Sequence, residues 1–126
     1  MEEVDLTRVI CPLHELGDPG AKAFTMGVGA WPLRGFVVRS GRLVRAYVNH
    51  CPHAGFPLDS VPGRFFAPGT SLVLCGMHGA LFDMESGKCV SGPCAGLSLR
   101  PLPVRVERGY VMLADDVPLE EPAGAS

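Results

Sequence analysis

Short runs of apolar and β-branched residues, separated by glycine and proline, make up much of this chain. The segment Val104–Glu107 alternates apolar and polar side chains, as expected for a strand with one buried face. No segment keeps a helical period over three turns. The pattern predicts short strands at Leu6–Leu13, Phe36–Arg39, Leu43–Val48, Leu72–Cys75, Ala80–Met84, Val104–Glu107 and Tyr110–Ala114.

Turn-forming residues indicate how these strands connect. The chain contains 16 Gly and 12 Pro, which is typical of a β protein with many turns. Ser40-Gly41 and Arg108-Gly109 each stand between two neighbouring predicted strands, where they favour tight hairpin turns. We therefore expect an all-β fold of stacked antiparallel sheets, arranged as a small sandwich or barrel.

Length and charge narrow the class of protein. The 126 residues suit one domain, and the formal net charge of -2 comes without a run of Lys or Arg, so nucleic acid is not an expected partner. Residues 115–126 are acidic and rich in Pro and Ala, which favours a flexible tail. The acidic start lacks a secretion signal, and no apolar stretch approaches the ~20 residues of a membrane span. We therefore expect a cytoplasmic protein without a membrane anchor.

Cysteine and histidine carry the candidate chemistry. Five cysteines, an odd number in a chain expected in a reducing compartment, argue against a disulfide framework and for metal or redox chemistry. Two short segments each supply one thiol and one imidazole, and they are Cys51-Pro52-His53 and Cys75-Gly76-Met77-His78. Each pair lies in a loop rich in Gly or Pro beside a predicted strand. Two hairpin tips of this kind can hold a metal centre from opposite sides.

Two sulfur and two nitrogen ligands suit either zinc or an iron–sulfur cluster. The paired ligands of a zinc site are usually separated by two to four residues, whereas only Pro52 separates Cys51 from His53. That spacing makes it awkward for both side chains to bind one ion, and it suits ligands of two different ions in a two-iron cluster. A structural zinc site stays open on this reasoning.

In order and spacing, the two motifs resemble the C-x-H … C-x-x-H signature of Rieske-type [2Fe-2S] proteins. The resemblance runs from about Phe36 to Ala114, most of the chain. The 21 residues from Ala54 to Leu74 form a longer gap than the family usually has. Flanking residues also resemble the family, and they are Asn49-His50, Gly55, Pro57-Leu58, Leu81-Phe82-Asp83, Gly87 and Ser91-Gly92-Pro93.

The resemblance implies one Rieske [2Fe-2S] cluster as cofactor. By the family pattern, Cys51 and Cys75 would be ligands of one iron, and His53 and His78 would be ligands of the other. Two neutral imidazoles in place of two thiolates make such a cluster less negative and therefore easier to reduce.

The family pattern also points to a low reduction potential. High-potential members carry an additional cysteine in each cluster loop, and they place a serine and a tyrosine hydroxyl near a cluster sulfur. Phe56, Met77, Ala80 and Phe82 stand at the corresponding positions here. Without the two hydroxyl donors the reduced cluster is less stabilised, so we expect a potential of roughly −150 mV rather than about +300 mV.

Electron transfer is the function that the resemblance implies. It implies a single Rieske domain over residues 1–114, with a cluster-binding subdomain at about 47–95, that carries single electrons from a flavin reductase-like donor to an oxygenase or other oxidoreductase. The chain lacks a His/His/carboxylate triad and a Gly-rich nucleotide fingerprint, so no independent catalytic site is expected. Two alternatives stay open. They are an accessory subunit of a larger oxidoreductase, such as a nitrite reductase small subunit, and a structural zinc-binding interaction domain.

The remaining cysteines and histidines have simpler interpretations. Cys11 and His14 form a C-x-x-H pair without glycine support, and we expect ordinary strand residues there. Cys89 and Cys94 flank the segment that resembles the cluster-covering loop of the family, where we expect small buried thiols rather than a local disulfide. His50 is expected to be a turn residue.

Overall fold

The computed structural model of the chain is built from short β-strands. The described residues are 8–27, 32–50, 58, 64–67, 69–70, 72–75, 79–92 and 96–114. Their strands are β1 (Val9–Pro12), β2 (Gly20–Met26), β3 (Leu33–Ser40), β4 (Leu43–Val48), β5 (Val73–Leu74), β6 (Leu81–Phe82), β7 (Cys89–Ser91), β8 (Pro101–Leu102), β9 (Val104–Glu107) and β10 (Tyr110–Leu113). Within the same residues, one 3-10 turn (Leu13–Glu15) is the helical structure, and no helix has the length and apolar character to span a bilayer.

The strands form three antiparallel sheets. One sheet has the order β1-β10-β9, the second has the order β2-β3-β4-β8, and the smallest has the order β5-β6-β7. All pairings between these strands are antiparallel. The expected all-β fold of stacked antiparallel sheets is confirmed.

Strong apolar patterns predict their strands well. β4 and β9 have the predicted bounds. β3 begins earlier than predicted, at Leu33, because its first residues pair with β2. Gly35 interrupts the apolar pattern there, but a Cβ at Gly35 would lie 2.6 Å from the ring of Phe24, so the glycine leaves the space that this ring fills.

Three strands were not predicted, namely β2, β7 and β8. β2 contains Gly20, Ala21 and Ala23, residue types with low strand preference, and it is stabilised by pairing along its whole length with β3. β8 begins with Pro101, which is tolerated because β8 is the edge strand of its sheet. β7 is only three residues long, and it forms through its pairing with β6.

The two predicted hairpin turns have different outcomes. The β9–β10 turn is at Arg108-Gly109 as predicted, and both residues have positive φ, 52° and 81°. The prediction for the β3–β4 turn is wrong by one residue. Ser40 still pairs with Leu43, so the turn residues are Gly41 and Arg42. The Gly41 N–H is held by the side chain of Asp18.

The four-stranded sheet separates two hydrophobic clusters. Side chains alternate between the faces of a strand. Val37 of β3 belongs to the cluster that we call the first, and its neighbours Phe36 and Val38 belong to the second. The first cluster includes Val111 of β10, and the second includes Phe82 of β6. The four-stranded sheet is therefore the middle sheet. The β1-β10-β9 sheet lies on one of its faces, and the small β5-β6-β7 sheet lies on the other.

A buried tyrosine joins the middle sheet to the small sheet. The Tyr47 hydroxyl of β4 donates a hydrogen bond of 2.6 Å to the carbonyl of Met84, in the turn between β6 and β7. Burial raises the pKa of Tyr47 to about 12, so the side chain remains a neutral donor near pH 7. The Tyr47 ring also lies against Gly87, where an added Cβ would be 2.8 Å from it. β4 thus holds the β6–β7 turn in place.

Candidate metal centre

One of the four predicted ligands, Cys75, lies within the described residues. Cys51, His53 and His78 lie outside them. The structure therefore describes the residues that flank the two motifs, together with the cysteine that begins the second motif.

A tight turn fixes the backbone of Cys75. The residue directly follows β5 and is fully buried. Its N–H donates to the carbonyl of Ala80 at 2.9 Å, and its carbonyl accepts from the N–H of Gly79 at 2.9 Å. Gly79 has a φ of +71°, a left-handed conformation that glycine adopts without strain. These two hydrogen bonds bracket residues 76–78, the rest of the second motif.

The side chain of Asn49 connects the two ends of the segment that contains the first motif. The Asn49 Oδ1 atom, just beyond the end of β4, accepts a hydrogen bond of 2.9 Å from the backbone N–H of Leu58. The Asn49 N–H in turn donates to the carbonyl of Arg34 on β3, at 3.0 Å. Residues 50–57, which include the first motif, therefore begin and end at positions tied to the middle sheet.

The flanks of both motifs meet in one hydrophobic cluster. Leu58 and Cys75 are each 0% exposed, and both belong to the second cluster together with Phe65. The Leu74 N–H donates to the carbonyl of Phe65 at 2.7 Å, which fixes the strand that leads into Cys75. Leu58, which follows the first motif, thus packs in the same hydrophobic cluster as Cys75, which begins the second motif.

The segment after β7 packs on the turn that follows Cys75. An added Cβ at Gly92 would lie 2.8 Å from the Cα of Ala80, so only a glycine permits this backbone approach. Gly92 also has a φ of +101°. The next residues, 93–95, include Pro93 of the segment that resembles the cluster-covering loop, and they lie outside the described residues.

The described residues fit an iron–sulfur group. Cys75 is a fully buried thiol whose backbone is held by two hydrogen bonds, and thiolate sulfur is the principal ligand of iron–sulfur clusters. Ala80 and Phe82, also fully buried, place no hydroxyl in this region. Across the described residues no three His, Cys, Asp or Glu side chains are grouped so that they could bind a metal ion. A centre on Cys75 would therefore need ligands from outside the described residues, and the two bracketed segments are among those.

The remaining cysteines lie away from the two motifs in the sequence. Cys11 is buried in the first hydrophobic cluster, where burial raises its pKa, while His14 is exposed. Cys11 lies in strand β1, as predicted, but His14 lies in the 3-10 turn that follows β1, so the prediction of a strand residue is wrong for it. Cys89 is only half-buried, so the prediction of a buried thiol is wrong for it. Its Sγ contacts the Ser91 carbonyl at 3.3 Å on the edge strand β7. Cys94 lies outside the described residues.

Sequence reasoning identified the motifs but missed the side chains that hold their flanks. Asn49 was recognised only as a flanking residue of the family pattern, and nothing in the sequence indicates its bond to Leu58. Tyr47 was assigned only to a strand. His50 directly follows the end region of β4, and its N–H donates to the Val48 carbonyl at 2.8 Å.

Comparison with known families gives one clear match. The family model described as the Rieske [2Fe-2S] domain matches residues 7–103, which include both motifs and eight of the ten strands of the described part. No match was found among curated proteins.

Solved structures of similar fold include both small carriers and larger enzymes. The ferredoxin of carbazole 1,9a-dioxygenase from Nocardioides aromaticivorans IC177 is 26% identical, with a TM-score of 0.64, over 84% of this chain and 94% of that chain. A complex of reduced oxygenase and oxidized ferredoxin in carbazole 1,9a-dioxygenase matches at 24% identity and a TM-score of 0.67, over 84% of this chain and 99% of that chain. The terminal oxygenase from the same Nocardioides strain matches at 25% identity and a TM-score of 0.66, over 93% of this chain but 34% of its own.

Proposed function

Since this chain belongs to the Rieske [2Fe-2S] domain family, we propose that it is a ferredoxin that carries single electrons to an oxygenase. One observation carries the proposal. The match to the Nocardioides ferredoxin covers 94% of that protein, whereas the match to the terminal oxygenase covers 34% of that enzyme. The chain thus corresponds to a whole carrier and to only part of an enzyme. A single domain over residues 1–114, with a cluster-binding subdomain at about 47–95, is part of the proposal.

Four residues would hold the cluster. We assign Cys51 and Cys75 as thiolate ligands of one iron, and His53 and His78 as imidazole ligands of the other. The buried, hydrogen-bonded turn of Cys75 supports its assignment. The group itself supplies a one-electron redox couple. A structural zinc site is disfavoured, because the matching family is defined by the [2Fe-2S] cluster.

The protein's own residues contribute position and polarity. The turn that fixes Cys75 prevents its thiolate from leaving the site when the charge changes. The neutral imidazoles of His53 and His78 would add no negative charge, so an added electron is better tolerated than with four thiolates. The chain would transfer electrons without binding a substrate of its own.

The partners follow from the same comparisons. A complex between an oxygenase and a ferredoxin of this fold supports an oxygenase as electron acceptor. A flavin reductase-like protein is the donor that we propose, because a flavin can accept an electron pair and release single electrons. The free thiol of Cys11 is in keeping with a reducing compartment, so we place the protein in the cytoplasm.

The reduction potential tests this function. Ala80 and Phe82 are fully buried and carry no hydroxyl, so neither can donate a hydrogen bond to a cluster sulfur. Protein-film voltammetry is expected to give one reversible one-electron wave, at roughly −150 mV. A potential above zero would rule out this carrier role, since the protein would then hold its electron too tightly to pass it to an oxygenase.

A serine in place of Ala80 checks the physical reason. A hydroxyl that donates to the reduced cluster with a net advantage of about 1.4 kcal/mol raises a one-electron potential by about 59 mV. We expect Ala80→Ser to raise the potential by at least about that amount. Ala46→Ser is the matched control, because Ala46 is buried in the other hydrophobic cluster and its hydroxyl should leave the potential unchanged.

A further inference from the structure

We propose that Asn49 is a positioning residue. Its side chain joins the two ends of the segment that carries the first motif, and so holds that segment next to the hydrophobic cluster that contains Cys75 of the second motif. This inference rests on the proposed cluster ligands. Asn49 itself is not a ligand in the proposal, and it acts through the backbone of Leu58.

The geometry places one hydrogen bond at the base of the segment. Asn49 Oδ1 accepts from the Leu58 N–H at 2.9 Å, and nine positions separate the two residues in sequence. The bond is partly buried. It therefore fixes the distance between the two ends of residues 50–57, the segment that carries Cys51 and His53.

Both ends of this bond are anchored elsewhere. The Asn49 N–H donates to the Arg34 carbonyl, so Asn49 cannot move without disturbing the middle sheet. Leu58 is 0% exposed and packs in the cluster that includes Cys75. The bond consequently links the middle sheet to the core beneath the second motif. Loss of the bond would free the first segment to move relative to Cys75.

The proposed role depends on a hydrogen-bond acceptor at position 49, so variants with and without an acceptor can be compared. The Asn49 amide supplies a neutral carbonyl acceptor. A carboxylate of the same size can also accept from the Leu58 N–H, whereas a leucine of similar volume cannot. Asn49→Asp should therefore preserve the position of the segment, and Asn49→Leu should not.

The test measures how fast the holoprotein loses its visible absorption when excess chelator is added. Loss of one hydrogen bond of about 1.4 kcal/mol that is made only in the closed segment corresponds to a tenfold faster loss, which we expect for Asn49→Leu. Asn49→Asp should stay within about twofold of the wild type, because the acceptor is retained. If Asn49→Leu does not fold, Asn49→Gln, which moves the acceptor by one methylene, takes its place, with an expected increase of at least about threefold.

Asp18→Leu is the matched control. Asp18 Oδ1 accepts from the Gly41 N–H at 2.7 Å, a similar side-chain bond to a backbone N–H, at the β3–β4 turn. Its loss should leave the rate of bleaching within about twofold of the wild type, as for a bond remote from the cluster. The EPR spectrum of Asn49→Leu should also broaden, since the ligand segment no longer has one position, while that of Asp18→Leu should not change.

Two outcomes would overturn the inference. In one, Asn49→Leu bleaches at the wild-type rate; in the other, Asn49→Asp bleaches as fast as Asn49→Leu, which means that the accepted hydrogen bond is not responsible. Failure of the underlying function looks different. A wild-type protein that never acquires iron and sulfide would refute the ligand assignment itself, before any variant is compared.

Discussion

Replacing Cys75 with serine is expected to yield a protein without a cluster. Serine keeps the size of the side chain, but its hydroxyl is a harder and far less acidic ligand than a thiol, and it binds iron poorly in place of a thiolate. Cys75 is fully buried and its backbone is held by two hydrogen bonds, so the serine hydroxyl would stand at the position of the thiol. We expect Cys75→Ser to be colourless and free of bound iron.

The same exchange at another thiol separates ligand loss from a general effect of serine. Cys89 is half-buried on β7 of the same small sheet, but it is not a ligand in our assignment. Cys89→Ser should keep the visible spectrum and the iron content of the wild type. If Cys75→Ser kept its colour, or if Cys89→Ser lost it, the ligand assignment would be wrong.

Among substitutions that leave all four ligands in place, Gly92→Ala is expected to have the largest effect on the stability of the fold and on retention of the cluster. Gly92 has a φ of +101°, where a side chain costs roughly 1–3 kcal/mol. An added Cβ would also lie 2.8 Å from the Ala80 Cα and 3.3 Å from the Ala80 nitrogen, both backbone atoms that cannot rotate away. Overpacking of this kind costs about 1–3 kcal/mol more.

The clash would be transmitted to the second motif. The carbonyl of Ala80 accepts the hydrogen bond that fixes Cys75, so displacement of Ala80 loosens this ligand. We expect Gly92→Ala to lower the free energy of unfolding by about 2–6 kcal/mol and to speed the loss of cluster absorption. Urea unfolding of the holoprotein, followed by absorption and circular dichroism, measures both effects.

Gly96→Ala separates backbone strain from the clash. Gly96 has a φ of +88°, similar to that of Gly92, but an added Cβ there would meet no atom within 4 Å. It should cost only the strain of the left-handed conformation, about 1–3 kcal/mol, and leave the cluster in place. Equal cluster loss in the two variants would show that contact with Ala80 is not the reason.

The parts of the fold that the sequence predicts are those with local patterns. β4 and β9 have continuous or alternating apolar residues, and their bounds follow directly. β2 and β8 depend on partners instead, since the alanines of β2 and Pro101 of β8 have little strand preference of their own. Their formation follows from pairing with β3 and β4 across the sheet, and tertiary contacts of this kind override local propensity.

The candidate site divides in the same way. The two motifs can be found from the sequence because ligand type and spacing are local properties. The bonds that hold their flanks cannot, because Asn49 and Leu58 are nine positions apart and Tyr47 and Met84 are 37 positions apart. Neither residue type indicates its partner in the sequence, and only the assembled sheets show that each joins a flank of one motif to another part of the fold.

The two hydrophobic clusters also suggest why the ligand segments tolerate long insertions. The first cluster joins the terminal strands to the middle sheet and does not involve the motifs, whereas the second holds Leu58, Phe65 and Cys75 together. Extra residues between the motifs need only leave Leu58, Phe65 and Cys75 together in this cluster. The cost of lengthening a surface loop grows slowly with its length.

Pulsed EPR of the anaerobically reduced protein, grown with and without ¹⁵N-labelled histidine, tests the central claim most directly. The proposal predicts a paramagnetic two-iron cluster with hyperfine couplings to two directly bound histidine nitrogens, from His53 and His78, both of which change on labelling. A cluster signal without histidine nitrogen couplings, or protein prepared under exclusion of oxygen that contains neither iron nor acid-labile sulfide, would contradict it.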